Sequence, residues 1–292
     1  MNSLKEFDFN YWDPIVDSSI SDQIITALEG GQIIMLPHLA FNLLAEEERF
    51  LSSNWSDKKA KNISLRPNAG VRVATGSESD LLALGGMIKR FSNQSQQLIS
   101  KILPSYVPNL TLASTSFRPF EVEARVNSYR KDDKRLHSDA FPSNPTQGTR
   151  LLRVFNNVNP HGQPRVWRVG ESFTQMANQF LPKTKALLPL QARLMKKLHI
   201  TKRIRSEYDH RMLQLHDRVK ADMDYQENSP QQLVKFMPGT TWIVYSDQVL
   251  HAAMSGQYMF EQTFHLPVSG LNNPETAPLR VLEKMLKRSL VN

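Results

Sequence analysis

An α+β fold whose β core is interrupted by helices is what the sequence predicts, and three observations predict it. Apolar residues in the first third recur at helical spacing. Residues from about 111 to 130 turn to β-branched and aromatic types in period two. A second helix-patterned stretch, about 172–235, gives way to strands again before the chain ends. With 292 residues, 40% apolar and 22% charged, the chain can bury a sizeable core. It has no internal repeat and no Gly/Ser-rich linker, so it reads as one domain over 1–292.

The elements follow in order. "SDQIITALEG" is a helix stopping at Gly30, "GQIIMLP" (31–37) a short buried strand, and "NLLAEEERFLSS" helical again. Residues 80–103 form a longer helix opened by Ser79 or Asp80 and closed before Pro104. The β core, about 111–268, opens with "TLASTSFRPFEVEARVNSYR", where Val122, Ala124 and Val126 alternate with Glu123, Arg125, Asn127 and Tyr129. Strands follow at 149–158 and 165–170. "KTKALLPLQARLMKKLHI" and "SEYDHRMLQLHDRVKADM" form the helical insertion, after which a strand, a Pro238-Gly239 turn, a strand from Thr240 to Tyr245 and two more strands complete the core. Past Pro274 and Pro278, Leu279, Leu282, Leu286 and Leu290 fall at helical spacing, with Arg280, Lys284, Lys287 and Arg288 on another side. This basic amphipathic helix, about 279–290, has two destinations: docking on the protein's own core, or peripheral contact with an anionic membrane.

Composition excludes several kinds of chemistry. Without cysteine there is no disulfide framework, thiolate nucleophile or Cys-type zinc or iron–sulfur site, so any metal must sit on His and carboxylate. No run of 18 apolar residues occurs, and "MNSLKEFDFNYWDP" is acidic and aromatic where a secretory leader would be basic and then apolar; the expected location is cytoplasmic. The formal charge of +8 points to an anionic partner. A non-catalytic basic nucleic-acid-binding protein is one rival reading. Against it, the basic residues are scattered and no recognised binding motif appears, so no nucleic acid is expected.

"RLHSDAFPS" (135–143) carries the chemistry. Pro142 and two serines keep it from being helical, so His137 and Asp139 project from one face of an extended segment. A third ligand comes from "YSDQVLHAAMSG", where His251 has small neighbours Ala252, Ala253, Ser255 and Gly256. Two imidazoles and one carboxylate make a facial triad, leaving three open positions on an octahedral metal, which suits Fe(II) and oxygen. His210 and His216, six apart on a predicted helix, face different ways, and His38, His161 and His199 sit beside turns or helix ends; these read as surface or capping residues. His265, fourteen residues after His251 on a strand, reads either as support behind the site or as an ordinary strand residue.

Three stretches carry a resemblance. "RLHSDAFPSNPTQGTRLLRVFNNVNP", "RVWRVGESF" and "DQVLHAAMSGQYMFEQTFHLP" resemble the Kdo 3-hydroxylase family (3-deoxy-D-manno-oct-2-ulosonic acid hydroxylases) of the Fe(II)/2-oxoglutarate-dependent oxygenase superfamily, over most of residues 10–270. The resemblance implies a double-stranded β-helix (jelly-roll, cupin-like) core, N-terminal helices, and Fe(II), 2-oxoglutarate and dioxygen as cofactor and co-substrates. It implies hydroxylation of carbon 3 of Kdo in the Kdo–lipid A inner core of lipopolysaccharide, an anionic glycolipid at the cytoplasmic face of the inner membrane. A same-fold oxygenase acting on another anionic small molecule is the nearer rival.

The chain departs from one superfamily pattern. Many members hold the far carboxylate of 2-oxoglutarate with a basic residue ten or more positions after the distal His, yet "AAMSGQYMFEQTFHLP" offers only His265. The strand after His-x-Asp supplies Arg150 and Arg153 instead, on opposite faces. Arg153 is favoured because it shares parity with Leu151 and Phe155. Asn127 and Tyr129 have inward-capable parity and are further candidates to contact the co-substrate. Lys131, Lys134, Arg135, Arg165 and Arg168 are expected at the rim, facing an acidic substrate.

Overall fold

The structure, a computed structural model, describes residues 3–57, 61–67, 69–122 and 128–291. Helix α1 (Ser18–Glu29) starts on Asp17, whose carboxylate accepts the Ile20 N–H, and stops at Gly30. Helix α2 (Glu78–Ile102) is capped two or three residues earlier than expected, by Ser77, because Asp80 reaches back to close a capping box. The "AEEERF" segment forms only a 3₁₀ turn (Ala45–Phe50), since Glu47 folds back onto the Leu44 N–H and pairs with Arg90 instead of extending the helix.

The strands are β1 (Leu4–Glu6), β2 (Ile33–Leu36), β3 (Ile63–Leu65), β4 (Val71–Arg72), β5 (Thr111–Arg118), β6 (Arg150–Asn157), β7 (Arg165–Gly170), β8 (Gln231–Phe236), β9 (Thr241–Tyr245), β10 (His251–Ser255) and β11 (Met259–Leu266). Eight form a sheet in the order β1-β2-β9-β6-β11-β5-β3-β4, and three form a second sheet, β10-β7-β8. Every pairing except β1 with β2 is antiparallel.

Strand β6 is buried at all eight positions because both its faces are covered. Leu152 and Val154 share a core with Ile24, Phe91 and Ile99 of α1 and α2. The alternate face, with Phe155, meets the small sheet, where Trp242 of β9 stacks on Phe236 of β8 at 4.1 Å and Phe155 meets Trp167 of β7 at 5.3 Å. Ring burial of this kind contributes about 1.5–3 kcal/mol per side chain and closes one end of the space between the sheets. Four helices lie in sequence between β7 and β8: α3 (Phe173–Phe180), α4 (Pro189–Lys197), α5 (Glu207–Ala221) and α6 (Met223–Asn228).

The C-terminal helix takes the first of its two expected destinations. Helix α7 (Pro278–Leu286) ends at Lys287, which takes a left-handed φ of 53°, and Leu279, Leu282 and Leu290 are buried in the main core. Gly148, at φ 87°, admits Leu279: a Cβ there would lie 2.6 Å from its methyl. Arg280 pairs with Glu283 and Arg288 with Glu207. The leucines expected as a membrane contact are therefore occupied by the protein itself. Among the described residues, no helix is long and apolar enough to cross a membrane.

Candidate metal centre

The segment carrying His137 lies beside the start of β10 as an isolated antiparallel pair. The His137 N–H donates to the His251 carbonyl at 3.1 Å, and the His251 N–H to the His137 carbonyl at 2.9 Å. Two residues on, the Asp139 N–H reaches the Ser246 carbonyl at 2.8 Å, which keeps the run extended. His137 and Asp139 therefore face His251, and one ligand atom from each of the three lies within 4.8 Å of the others.

Both imidazoles are fixed in one tautomer. His137 Nδ1 donates to the Arg135 carbonyl at 2.7 Å and His251 Nδ1 to the Val249 carbonyl at 2.9 Å; a carbonyl cannot donate, so each Nε2 keeps its lone pair for the cluster. The ring of Trp167 stacks on His251 at 4.9 Å and further limits its rotation. Burial pushes the pKa of both histidines down, with His251 adding to the effect on His137. Burial would raise Asp139, but Arg153, His251 and His137 outweigh it and hold the carboxyl well below the usual range. Two neutral imidazoles and one carboxylate are the donor set a hard-to-borderline divalent cation needs.

Beyond the triad, the inner face of the large sheet is rich in guanidinium. Arg153 of β6 sits 3.0 Å from Asp139 and donates to Glu261 of β11 at 2.8 Å. Glu261 also accepts from Arg118 of β5 at 2.7 Å. Opposite them, Arg165 of β7 is 3% exposed, and its one hydrogen bond goes to the Gly256 carbonyl. Burial pulls the Arg165 pKa down to about 9, with Arg118 adding to the effect. Nε of Arg118, Arg153 and Arg165 lacks a partner among the described residues. Within ion-pairing distance, among the described residues, Arg118 and Arg153 share two carboxylates, Glu261 and the triad member Asp139, while Asp133 and Glu121 act on Arg165 without pairing with it; the unpartnered N–H groups are open to an anion.

The other site residues named from sequence divide. Arg150 lies on the far face of β6, completely buried, bonded to Asp247 at 2.7 Å and to Gln248, over the Tyr245 ring. Strand parity removes it from the cavity. Tyr129 is corrected too: it belongs to a 3₁₀ turn (Tyr129–Lys131) instead of a strand, and its ring is covered by Arg130 and Arg135. Asn127 lies outside the described residues. His265 is half-buried on the same face of β11 as Glu261, two residues beyond the partner of Arg153. Among the expected rim cations, Arg165 points inward, Arg168 binds the Lys134 and Gln226 carbonyls, and Arg135 holds Asp132 and the Lys220 carbonyl.

Arg118, Glu261 and His216 escaped the sequence reading. The parity that marked Arg153 applies equally to β5 and β11 once their register is known. His216 of α5 was set aside as a surface residue, yet its ring meets His137 edge-on at 5.2 Å. Lys220, one turn further along the same helix, is buried with its ammonium on the Arg130 carbonyl at 3.1 Å.

Comparison with known proteins agrees with this geometry. A family model described as 3-deoxy-D-manno-oct-2-ulosonic acid (Kdo) hydroxylase matches residues 11–289. Among solved structures, the chain is similar to the Kdo hydroxylase KdoO, a non-heme Fe(II) α-ketoglutarate-dependent dioxygenase. KdoO with α-ketoglutarate and Fe(III) is 45% identical, with a TM-score of 0.95 and coverage of 99% of this chain and 97% of that one. KdoO with cobalt(II) is 46% identical at a TM-score of 0.97, covering 99% and 98%. With succinate and Fe(III) the values are 45% and 0.96, again covering 99% and 98%. No curated protein matches the sequence. The two-sheet core is accordingly the jelly roll of such oxygenases.

Proposed function

This chain belongs to the Kdo hydroxylase family, and on that premise we propose that it is an Fe(II)- and 2-oxoglutarate-dependent dioxygenase that hydroxylates carbon 3 of Kdo. The observation that carries the reading is the His137, Asp139 and His251 cluster, with both Nε2 lone pairs and one carboxylate converging. In this reading the three hold Fe(II) on one side, leaving positions for the co-substrate and dioxygen. When bound, the metal and 2-oxoglutarate (α-ketoglutarate) supply the oxidising power that places one oxygen of O₂ in succinate and the other in the hydroxylated sugar.

The chain's own residues bind, orient and exclude water. The guanidinium cluster of Arg153, Arg118 and Arg165 is the proposed seat of the co-substrate's carboxylates, since an incoming dianion would meet unpaired N–H donors in a dry cavity. Arg153, held between Asp139 and Glu261, would be fixed by the same contacts that fix the metal ligand. Kdo is an acid whose third carbon is a deoxy position, so its carboxylate sits two bonds from the carbon to be hydroxylated and must enter close to the metal. The buried Lys220 ammonium, whose charge acts on both His137 and His251, supports that orientation. The acceptor in this proposal is the Kdo attached to lipid A, met at the cytoplasmic face of an anionic membrane.

The test is anaerobic titration of the folded protein with Fe(II) and 2-oxoglutarate, followed by aerobic succinate release with Kdo. A weak visible metal-to-ligand absorption and Kdo-stimulated succinate are expected. Absence of the absorption overturns the oxygenase reading; absorption without Kdo-stimulated turnover overturns the substrate.

A further inference from the structure

Soluble proteins bury one face of each surface helix; α4 does the reverse. Among its described side chains only Ala192 is buried, whereas Leu190 and Leu194 are 80% and 55% exposed. The exposure continues on both sides, at Leu188, Leu198, Ile200 and Ile204. Among the described residues these six are nearly half of the large apolar side chains that face solvent, gathered within 17 residues of chain. Leu190, Leu194 and Leu198 fall four apart and form one stripe.

The charge around this stripe is of one sign. Between Glu171 and Glu207 there is no acidic residue, while Lys183, Lys185, Arg193, Lys196, Lys197, Lys202, Arg203 and Arg205 supply eight cations. Arg193, Lys196, Lys197, Lys202 and Arg203 are exposed and have no carboxylate within ion-pairing distance among the described residues. Glu207, which accepts the Leu187 N–H at the edge of the strip, is itself taken up by Arg211 and Arg288, so apolar side chains standing among an excess of unpaired cations match an anionic lipid surface, where leucines enter the acyl boundary and cations meet headgroups.

The strip is also tied to the metal centre. The Lys202 N–H donates to the Ser143 carbonyl at 2.9 Å, Arg205 donates to the Pro142 carbonyl, and Gln147 donates to the Ile204 carbonyl at 3.2 Å. Residues 141–147 are the loop that leaves the site directly after Asp139, and the Phe141 ring lies 6.0 Å from the Arg153 guanidinium. We propose that residues 188–204 dock the protein on an anionic phospholipid surface and so present the loop beside the metal centre to that surface. The inference complements the proposed function, which places the sugar on a lipid, and rests on the surface itself.

The test uses the full chain with phosphatidylcholine vesicles, with and without phosphatidylglycerol, in a sedimentation assay. Binding is expected to phosphatidylglycerol vesicles and to fall as salt rises. Leu190→Ser/Leu194→Ser should weaken it about a hundredfold or more, because each buried leucine contributes about tenfold or more. Lys196→Glu/Lys197→Glu should weaken it about 25-fold or more, at about fivefold per cation. The control Lys284→Glu/Lys287→Glu on α7 should bind like the parent. Wild-type protein that ignores both vesicles, or strip variants that sediment like wild type, overturns the proposal. So does a strip variant whose one change is loss of a concentration-dependent dimer, which would make a second copy the occupant. Succinate release on soluble Kdo is measured on the same preparations: vesicle binding with no turnover supports the docking surface and overturns the proposed function, while turnover with no vesicle binding does the opposite.

Discussion

Two buried arginines three residues apart on β6 show how one strand carries a structural face and a chemical one. Arg150 has a carboxylate of its own: Asp247, Gln248 and the Tyr245 ring take up its guanidinium, with Nη1 left without a hydrogen-bond partner among the described residues, and Asp247 is bonded in turn by the Leu151 N–H. Arg153 shares its carboxylates. Glu261 also serves Arg118, and Asp139 is a candidate metal ligand. A buried ion pair in which each charge has its own partner holds shape; a buried cluster whose cations share carboxylates has room for an anion.

The largest effects should fall where Arg153's partner leaves the arginine network and joins the triad. His137→Ala, Asp139→Ala and His251→Ala should each abolish turnover; the two histidine variants should leave circular dichroism and the unfolding midpoint close to wild type, because an open metal site serves chemistry more than stability, whereas Asp139→Ala should also lower stability by taking a carboxylate from buried Arg153. Iron-dependent activity near wild type in His251→Ala would break the assignment. Next comes Arg153→Ala, expected to raise the 2-oxoglutarate concentration for half-maximal rate by a factor of about 30 or more, corresponding to at least about 2 kcal/mol for a desolvated charge pair.

Arg150→Ala sharpens the contrast from the other face. It leaves Asp247 buried without its cation, so a loss of about 3–5 kcal/mol in denaturant unfolding is expected with no change in the 2-oxoglutarate requirement. The reverse ranking of the two variants would move the anchor to Arg150. The smallest stability change belongs to Arg165→Met. No carboxylate is stranded there, and one lost bond to the Gly256 carbonyl costs about 1 kcal/mol, offset by removing an unpaired buried charge. Stability within about 1 kcal/mol of wild type and a clearly raised 2-oxoglutarate requirement are expected; an unchanged requirement would leave Arg165 outside the co-substrate's seat.

Much of the site was legible because its signals are local. His137 and Asp139 had only to be extended to share a face, and Pro142 with its serines ensured that; Arg153 had only to share parity with Phe155. Arg118 and Glu261 needed the β5–β11–β6 register, which joins residues more than a hundred positions apart. His216 was misjudged because its direction was reasoned against His210 on the same helix, whereas what matters is where α5 lies relative to His137.

The two basic, leucine-bearing helices mark the boundary between what sequence and tertiary structure decide. Periodicity alone predicted a basic amphipathic helix over residues 279–290 and a helix within "KTKALLPLQARLMKKLHI", because it depends on neighbours a turn apart. It could not say which helix would be covered. Leu279 and Leu282 are buried because Gly148 and the main core offer a complementary apolar surface; Leu190 and Leu194 stay exposed because, among the described residues, no distant segment is folded over them. The amphipathic pattern is written along one helix, but its burial requires a partner surface that only the folded chain can bring to it.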